Sequence, residues 1–217
     1  MSGMDRRARL EAARLYLVVE ASAARRVVPD ALAGGVDVLQ LREKQLPDDE
    51  VVAAGRELRE VCDRHGALLI VNDRPDLALA CGADGVHVGQ DDEPVDSVRS
   101  SVGDELLIGL STHSPEQVQA ADSSKADYLG IGPVYETATK PDVAPVGLKL
   151  VEFAAGNVRK PWFAIGGIDP ARAPEVVAAG ATRLAVVRAI RDANDPQAAA
   201  RALRAALEQR EVARGAA

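Results

Sequence analysis

The chain has 217 residues, 47% of them hydrophobic but only 3% aromatic, and a formal net charge of −7. It is long enough for one large core packed mainly from Ala, Val and Leu, and its acidity argues against non-specific binding to nucleic acid or an anionic membrane surface. No apolar run reaches the length of a membrane span, residues 1–14 are too charged for a secretory signal, and Cys62 and Cys81 lack metal-ligand spacing, so a reduced cytoplasmic protein is expected.

In chain order, residues 1–14 read as a charged lead-in that frays or caps as a helix. Leu15 to Val19 is the first strand, followed by a helix to Ala33 and a second strand from Val36 through Gln40. Pro47 and Asp48 mark the start of a long helix to Arg64, with Asp48 as its cap. Ala67 to Asn72 is the third strand, with a short helix from Pro75 to Cys81. The fourth strand ends at Gly89, and a helix near Asp96 to Val102 follows. Leu106 to Leu110 is the fifth strand, and Ser114-Pro115-Glu116-Gln117 opens a helix with proline at its first position. The sixth strand ends at Gly132. Residues 133–146, rich in Pro and Thr, are too long for an ordinary βα turn and are a lid candidate. A helix over Gly147 to Ala155, a strand from Trp162 to Ile165 and a helix capped by Asp169-Pro170 come next. The eighth strand ends at Val187, and the last helix runs from Asp195-Pro196 to about Arg210. Without a composition break, residues 15–210 read as one domain, with 1–14 a lead-in and 211–217 a tail.

A repeat ties these elements together. Strands beginning at Asp37, Asp84, Asp127 and Thr182, spaced by 47, 43 and 55 residues, each follow a small-residue turn. Side chains alternate along a strand. One face carries Leu39 and Leu41, Val86 and Val88, Leu129 and Ile131, Leu184 and Val186. These eight are all aliphatic, as befits a face covered by helices. The other carries Gln40 and Arg42, His87 and Gly89, Gly130 and Gly132, Ala185 and Val187. Small residues there leave room for the large polar ones, as in a barrel filled by layers from alternate strands. The expected fold is a single (β/α)8 TIM barrel, with its site at the C-terminal ends of the strands.

The strand exits carry the chemistry. Asp73 and Asp92 leave neighbouring strands, so their carboxylates can approach each other; oxygen donors with few protein ligands suit Mg²⁺. The plain alternative is that both cap helices. Gly166-Gly167, with Arg188 after the last strand, sits where such barrels bind phosphate, glycine letting the backbone approach and the following helix presenting its N–H groups. Arg42, Lys44 and Lys140 form a cationic ring opposite the acidic pair, and a metal-bound diphosphate would partner it. The arrangement suits two phosphorylated small molecules. No Ser–His or Cys–His nucleophile is evident, nor the acid/base pair a phosphosugar isomerase needs.

The motifs Gln40-Leu41-Arg42-Glu43-Lys44, Asn72-Asp73-Arg74, residues 85–92, residues 109–113, Gly130-Ile131-Gly132-Pro133, Thr137-Ala138-Thr139-Lys140 and residues 164–168, in that order, resemble the thiamine phosphate synthase family from about Leu15 to Leu207. The resemblance implies coupling of hydroxymethylpyrimidine diphosphate to thiazole phosphate, giving thiamine phosphate and diphosphate. It implies that Gln40, Leu41, Arg42, Glu43, Lys44 and Asn72 hold the pyrimidine diphosphate, with Ser111 and Lys140 adding contacts. Asp73 and Asp92 would ligate Mg²⁺. Thr137, Ala138, Thr139, Gly167, Val187 and Arg188 would form the thiazole phosphate site. Catalysis would be electrostatic and dissociative, carried by Arg42, Lys44 and Lys140 with the metal. Many members have serine where this chain has Arg188, which either contacts the phosphate or faces outward. A thiazole tautomerase and a silent binder of thiamine phosphates are the competing readings. His87 is an interior or a catalytic histidine, and His113 either lies near the diphosphate or merely precedes a helix. The oligomeric state is not specified.

Overall fold

In the computed structural model, described over residues 1–137 and 144–215 with side chains up to residue 208, eight parallel strands close into a barrel in sequence order. They are β1 (Leu15–Val19), β2 (Val38–Leu41), β3 (Leu68–Asn72), β4 (Gly85–Val88), β5 (Leu107–Thr112), β6 (Tyr128–Ile131), β7 (Trp162–Ile165) and β8 (Leu184–Val186). The register Leu15↔Leu184 and Tyr16↔Ala185 between β1 and β8 closes the ring. The expected barrel is therefore present.

Around it lie α1 (Gly3–Ala12), α2 (Ala21–Ala33), α3 (Asp48–His65), α4 (Pro75–Cys81), α5 (Val95–Val102), α6 (Pro115–Ser123), α7 (Gly147–Asn157), α8 (Ala173–Ala178), α9 (Arg188–Arg191) and α10 (Pro196–Gly215). Local chemistry accounts for several boundaries. Ser114 caps α6 by accepting from Gln117 N–H, and Pro115 fits the first turn, where its missing donor costs nothing. Asp195 accepts from Ala198 N–H at the start of α10. α3 ends on Gly66 at φ 70°, a left-handed cap that favours glycine. Two expected caps shift. Pro47 is the cap of α3 and Asp48 its first residue, where a carboxylate faces the positive helix end. Asp169 instead ties a turn, accepting from Ala171 and Arg172 N–H, and α8 starts only at Ala173. No helix among the described residues is long and apolar enough to cross a membrane.

The two faces of the strands separate as their alternation requires. Leu39, Leu41, Val86, Val88, Leu129, Ile131, Leu184 and Val186 all join the layer between barrel and helices. A second, smaller cluster fills the barrel itself: Tyr16, Val18, Val38, Leu68, Ile70, Leu107, Tyr128, Phe163 and Ala185, with Leu10 and Ala13 from the lead-in. α1 thus closes the N-terminal end of the barrel. Its Arg6 pairs with Asp84 at 3.1 Å and its Arg7 with Asp127 at 2.8 Å. The Asp84 carboxylate also accepts from Leu69 N–H, and that of Asp127 from Ile108 N–H, so each fastens its strand to the neighbour. With that end sealed, function is left to the other.

Candidate active site

A cavity of about 330 Å³ opens at the C-terminal ends of the strands. Its floor is aromatic. Tyr16, Tyr128 and Phe163 meet there, with the Phe163 ring edge-on to Tyr16 at 5.2 Å and to Tyr128 at 5.9 Å. Composition hid this feature, because a 3% aromatic content says nothing of where the aromatics lie. The signal was positional, since Tyr128 sits two residues before Gly130 and shares its inward parity. The same glycines make the space: a Cβ at Gly109 would lie 2.2 Å from the Tyr128 ring and 2.3 Å from His87 Nδ1.

Of the inward positions singled out in the repeat, all but Gly89 line the cavity. Gln40 is buried and donates from Nε2 to Tyr16 Oη at 2.7 Å. Arg42 and Asn72 stand above it on the wall, joined by Ser111 and Thr137. Leu41 does not face the cavity: its side chain is buried among the helices, beside Gly55 and Cys81, so only its backbone could serve a ligand. Glu43 folds back on its own loop, accepting from Lys44, Gln45 and Ala21 N–H, which orders the β2–α3 connection rather than lining the cavity. Ala138, Thr139 and Lys140 lie outside the described residues, as does part of the expected lid.

The acidic pair does come together. Asp73 takes a φ of 61°, a left-handed conformation aspartate tolerates better than most residues, and its N–H donates to His87 O at 2.8 Å. The bend turns the carboxylate off the strand direction. Burial and, after it, the hydrogen-bonded and charged neighbour Asp92 push the Asp73 carboxyl above its ordinary pKa, while Lys44, 3.4 Å away, pulls it down. Two carboxylates forced together with one lysine form a site that a further cation would relieve. Hard oxygen donors, few in number and open to solvent, fit Mg²⁺, which keeps waters and phosphate oxygens as its remaining ligands. Asp92 is itself oriented by Gly89 N–H, which donates to Oδ2 at 2.7 Å.

Across the cavity, Gly166, Gly167, Val187 and Arg188 line the opposite wall. Gly166 and Gly167 have φ of 105° and 64°, and a Cβ on either would strike Pro133 or Glu136 O. Glycine is therefore required here by backbone conformation and by the close approach of the β6 connection, quite apart from any ligand. The helix expected to follow from Asp169-Pro170 starts only at Ala173, because the Asp169 turn intervenes, so any backbone donors near the glycines belong to the turn. α9, which sequence patterning overlooked, begins at Arg188 and sets that side chain at the cavity rim. Arg172, also not foreseen, reaches the same wall: its guanidinium donates to Gly167 O at 2.9 Å and lies 4.9 Å above the Tyr135 ring. His113 also lines the cavity and points its Nδ1 at Gly132 O, which ties the loop after β5 to the end of β6.

The thiamine monophosphate synthase family model matches residues 15–190, the stretch that forms the barrel and both walls of this cavity. The chain belongs to that family. A thiamine-phosphate synthase of Thermobifida fusca is 50% identical over 217 residues, covering 97% of this chain and 98% of its own. One from Gloeobacter violaceus is 54% identical over 196 residues, covering 90% of this chain, which spans only 58% of that longer protein. Among solved structures, a thiamine phosphate pyrophosphorylase of Pyrococcus furiosus superposes with a TM-score of 0.83 at 35% identity, over 94% of this chain and 98% of its own. Among the described residues, Gln40, Arg42, Asn72 and Ser111 line the β2–β5 side of the cavity, Gly167, Val187 and Arg188 line the β7–β8 side, and Thr137 lines it from the connection after β6.

Proposed function

We infer that this chain is a thiamine-phosphate synthase. It joins 4-amino-2-methyl-5-(diphosphooxymethyl)pyrimidine to thiazole phosphate, releasing diphosphate and forming thiamine phosphate. The observation that carries this reading is the two-ended cavity: Arg42 and Asn72 line one end, Gly166, Gly167 and Arg188 the other, over an aromatic floor. Next in the chain to Asn72, Asp73 brings Lys44 and Asp92 together beside that first end.

In the reaction, the bond between the pyrimidine methylene carbon and the diphosphate oxygen breaks, and its electron pair leaves with the diphosphate. The thiazole nitrogen then supplies the pair for the new carbon–nitrogen bond. Arg42 and Lys44, with Lys140, stabilise the negative charge that grows on the leaving group, where fixed cations in a partly dry site act more strongly than in water. Asp73 and Asp92 would hold Mg²⁺, which when bound supplies further charge neutralisation on the diphosphate. Gln40 and Asn72 orient the pyrimidine. Tyr16, Tyr128 and Phe163 exclude water from the methylene carbon, and their π-faces suit the cationic character it gains when diphosphate departs. Gly167, Val187 and Arg188 seat the thiazole phosphate, the guanidinium serving as a bidentate donor. The two free, buried cysteines fit the expected cytoplasmic location.

The test is diphosphate release from purified protein given both substrates, with Mg²⁺ and then with EDTA. Release that needs both substrates and the metal, with thiamine phosphate as product, is expected. Binding of thiazole phosphate without release would move the assignment to a tautomerase or a non-catalytic binder.

A further inference from the structure

Five side chains run in one hydrogen-bonded chain through the barrel interior, from the wall at β2 to the wall at β5. Gln40 Nε2 meets Tyr16 Oη at 2.7 Å, Tyr16 Oη meets Tyr128 Oη at 3.0 Å, Tyr128 Oη meets His87 Nδ1 at 3.2 Å, and His87 Nε2 meets Ser111 Oγ at 2.9 Å. Its two ends, Gln40 and Ser111, are the residues expected to touch the pyrimidine diphosphate. Of its three middle members, His87 has no assigned part in the reaction, and Tyr16 and Tyr128 have one only through their rings, not their hydroxyls.

Each phenol has one proton, and a neutral imidazole has one N–H and one acceptor nitrogen. An amide N–H at the β2 end therefore orders the chain. Tyr16 Oη accepts from Gln40, so its own proton goes to Tyr128. The Tyr128 proton goes to His87 Nδ1, and the imidazole N–H, now on Nε2, goes to Ser111 Oγ. Burial holds both phenols protonated, raising each well above its ordinary pKa, so neither breaks the order by ionising. Turning the Gln40 amide over would reverse every donor, and would leave Ser111 as an acceptor toward the cavity instead of a donor.

We propose that His87 is a positioning residue held as the neutral Nε2–H tautomer by this chain, so that Gln40 presents its Oε1 as an acceptor and Ser111 its O–H as a donor to the bound pyrimidine diphosphate. The polarity of the two ends then selects the ligand. An acceptor at Gln40 suits an exocyclic amino group, and a donor at Ser111 suits a ring nitrogen or a diphosphate oxygen. A pyrimidine bearing oxygen in place of that amino group would leave two acceptors facing each other at Gln40, and a site built for one pattern rejects the other.

The tautomer can be read without turnover, from long-range proton–nitrogen spectra of the protein labelled at histidine with ¹⁵N. With only three histidines in the chain, His87→Gln identifies the signals of His87 by their loss. Should that variant fold poorly, His65→Gln and His113→Gln identify them by elimination. A neutral ring protonated at Nε2 is expected; a ring protonated at Nδ1, or at both nitrogens, overturns the proposal. The kinetic arm rests on the synthase reading. Tyr128→Phe keeps the ring but cuts the chain, and should raise KM for the pyrimidine diphosphate about tenfold, the value of one hydrogen bond, while leaving KM for thiazole phosphate unchanged. His87→Gln, whose Oε1 can accept from Tyr128 and whose Nε2 can donate to Ser111, should largely restore what His87→Phe loses. Equal losses for both substrates, or for both His87 variants, would mean a purely structural role. Absence of any turnover in the unaltered protein would count against the synthase reading and leave the tautomer result standing.

Discussion

The carboxylates of Asp73 and Asp92 gather after the β3 and β4 exits at an electrostatic cost, visible in the upward push that burial and Asp92 exert on Asp73. A pair retained only to support the fold would be better separated, so the pair is expected to act on a ligand. Asp92→Asn keeps an oxygen that can accept from Gly89 N–H and removes the charge. Turnover should then fall by at least a hundredfold, the scale on which one electrostatic contact to a transition state acts, with little change in the denaturant midpoint. Full Mg²⁺-dependent activity in the variant would remove Asp92 from the metal site. At this scale the sequence was legible wherever parity decided the answer. Gln40, Arg42, His87 and Gly130 face inward and Leu39 and Leu41 outward because the strand repeat is two residues. Parity also turns Tyr128 inward, but the aromatic floor itself was not legible, because Tyr16, Tyr128 and Phe163 come from three strands brought together only by barrel closure.

At the scale of elements, the strands and the long helices follow from local signals, and the misses have a common cause. α9 spans only Arg188–Arg191, too short for a helical repeat to register. The displaced start of α8 reflects Asp169 bonding a turn before the helix. Less legible still was the reason three of the four repeated strands begin with aspartate. Asp37 accepts from Leu15 N–H, Asp84 from Leu69 N–H and Asp127 from Ile108 N–H, each reaching the preceding strand in the ring. Arginines from the helices hold these anions: Arg204 for Asp37, Arg6 and Arg59 for Asp84, Arg7 and Arg99 for Asp127. The aspartates and α1 form a fastening at the end of the barrel remote from the cavity. Asp84 is buried, and Asp84→Asn leaves two guanidinium groups facing a neutral amide. It should destabilise the protein by about 3–5 kcal/mol in a denaturant titration, as loss of one partner of a buried pair does. KM values of the folded enzyme should not move; a shift in KM would show that the two ends of the barrel are coupled.

For the whole molecule, alkaline pH is the informative condition. Burial pushes the Cys62 thiol up to about 12, and raises Cys81 and both interior phenols as well. A group with a raised folded pKa binds more protons folded than unfolded, so stability declines as pH increases. For Cys62 its contribution is complete below about pH 9, the ordinary thiol value, and is lost progressively between there and about 12. Chemical denaturation across pH 8–11 should show a falling midpoint, and Cys62→Ala should flatten part of that slope; a flat profile in the unaltered protein would contradict it. For the same reason neither thiol should react with a disulfide reagent at neutral pH until the protein unfolds.

By itself, the sequence determined the number and order of the strands, which face of each meets the helices, and which polar residues stand at the strand exits. Those properties depend on local periodicity, and periodicity is written along the chain. Tertiary structure alone decided what meets what across the barrel: the pairing of Asp73 with Asp92, the aromatic floor, the argininyl fastening at the opposite end, and the hydrogen-bonded chain from Gln40 to Ser111. Such contacts join residues from different strands, and their distances are set by the closure and shear of the ring, to which no single stretch of sequence refers.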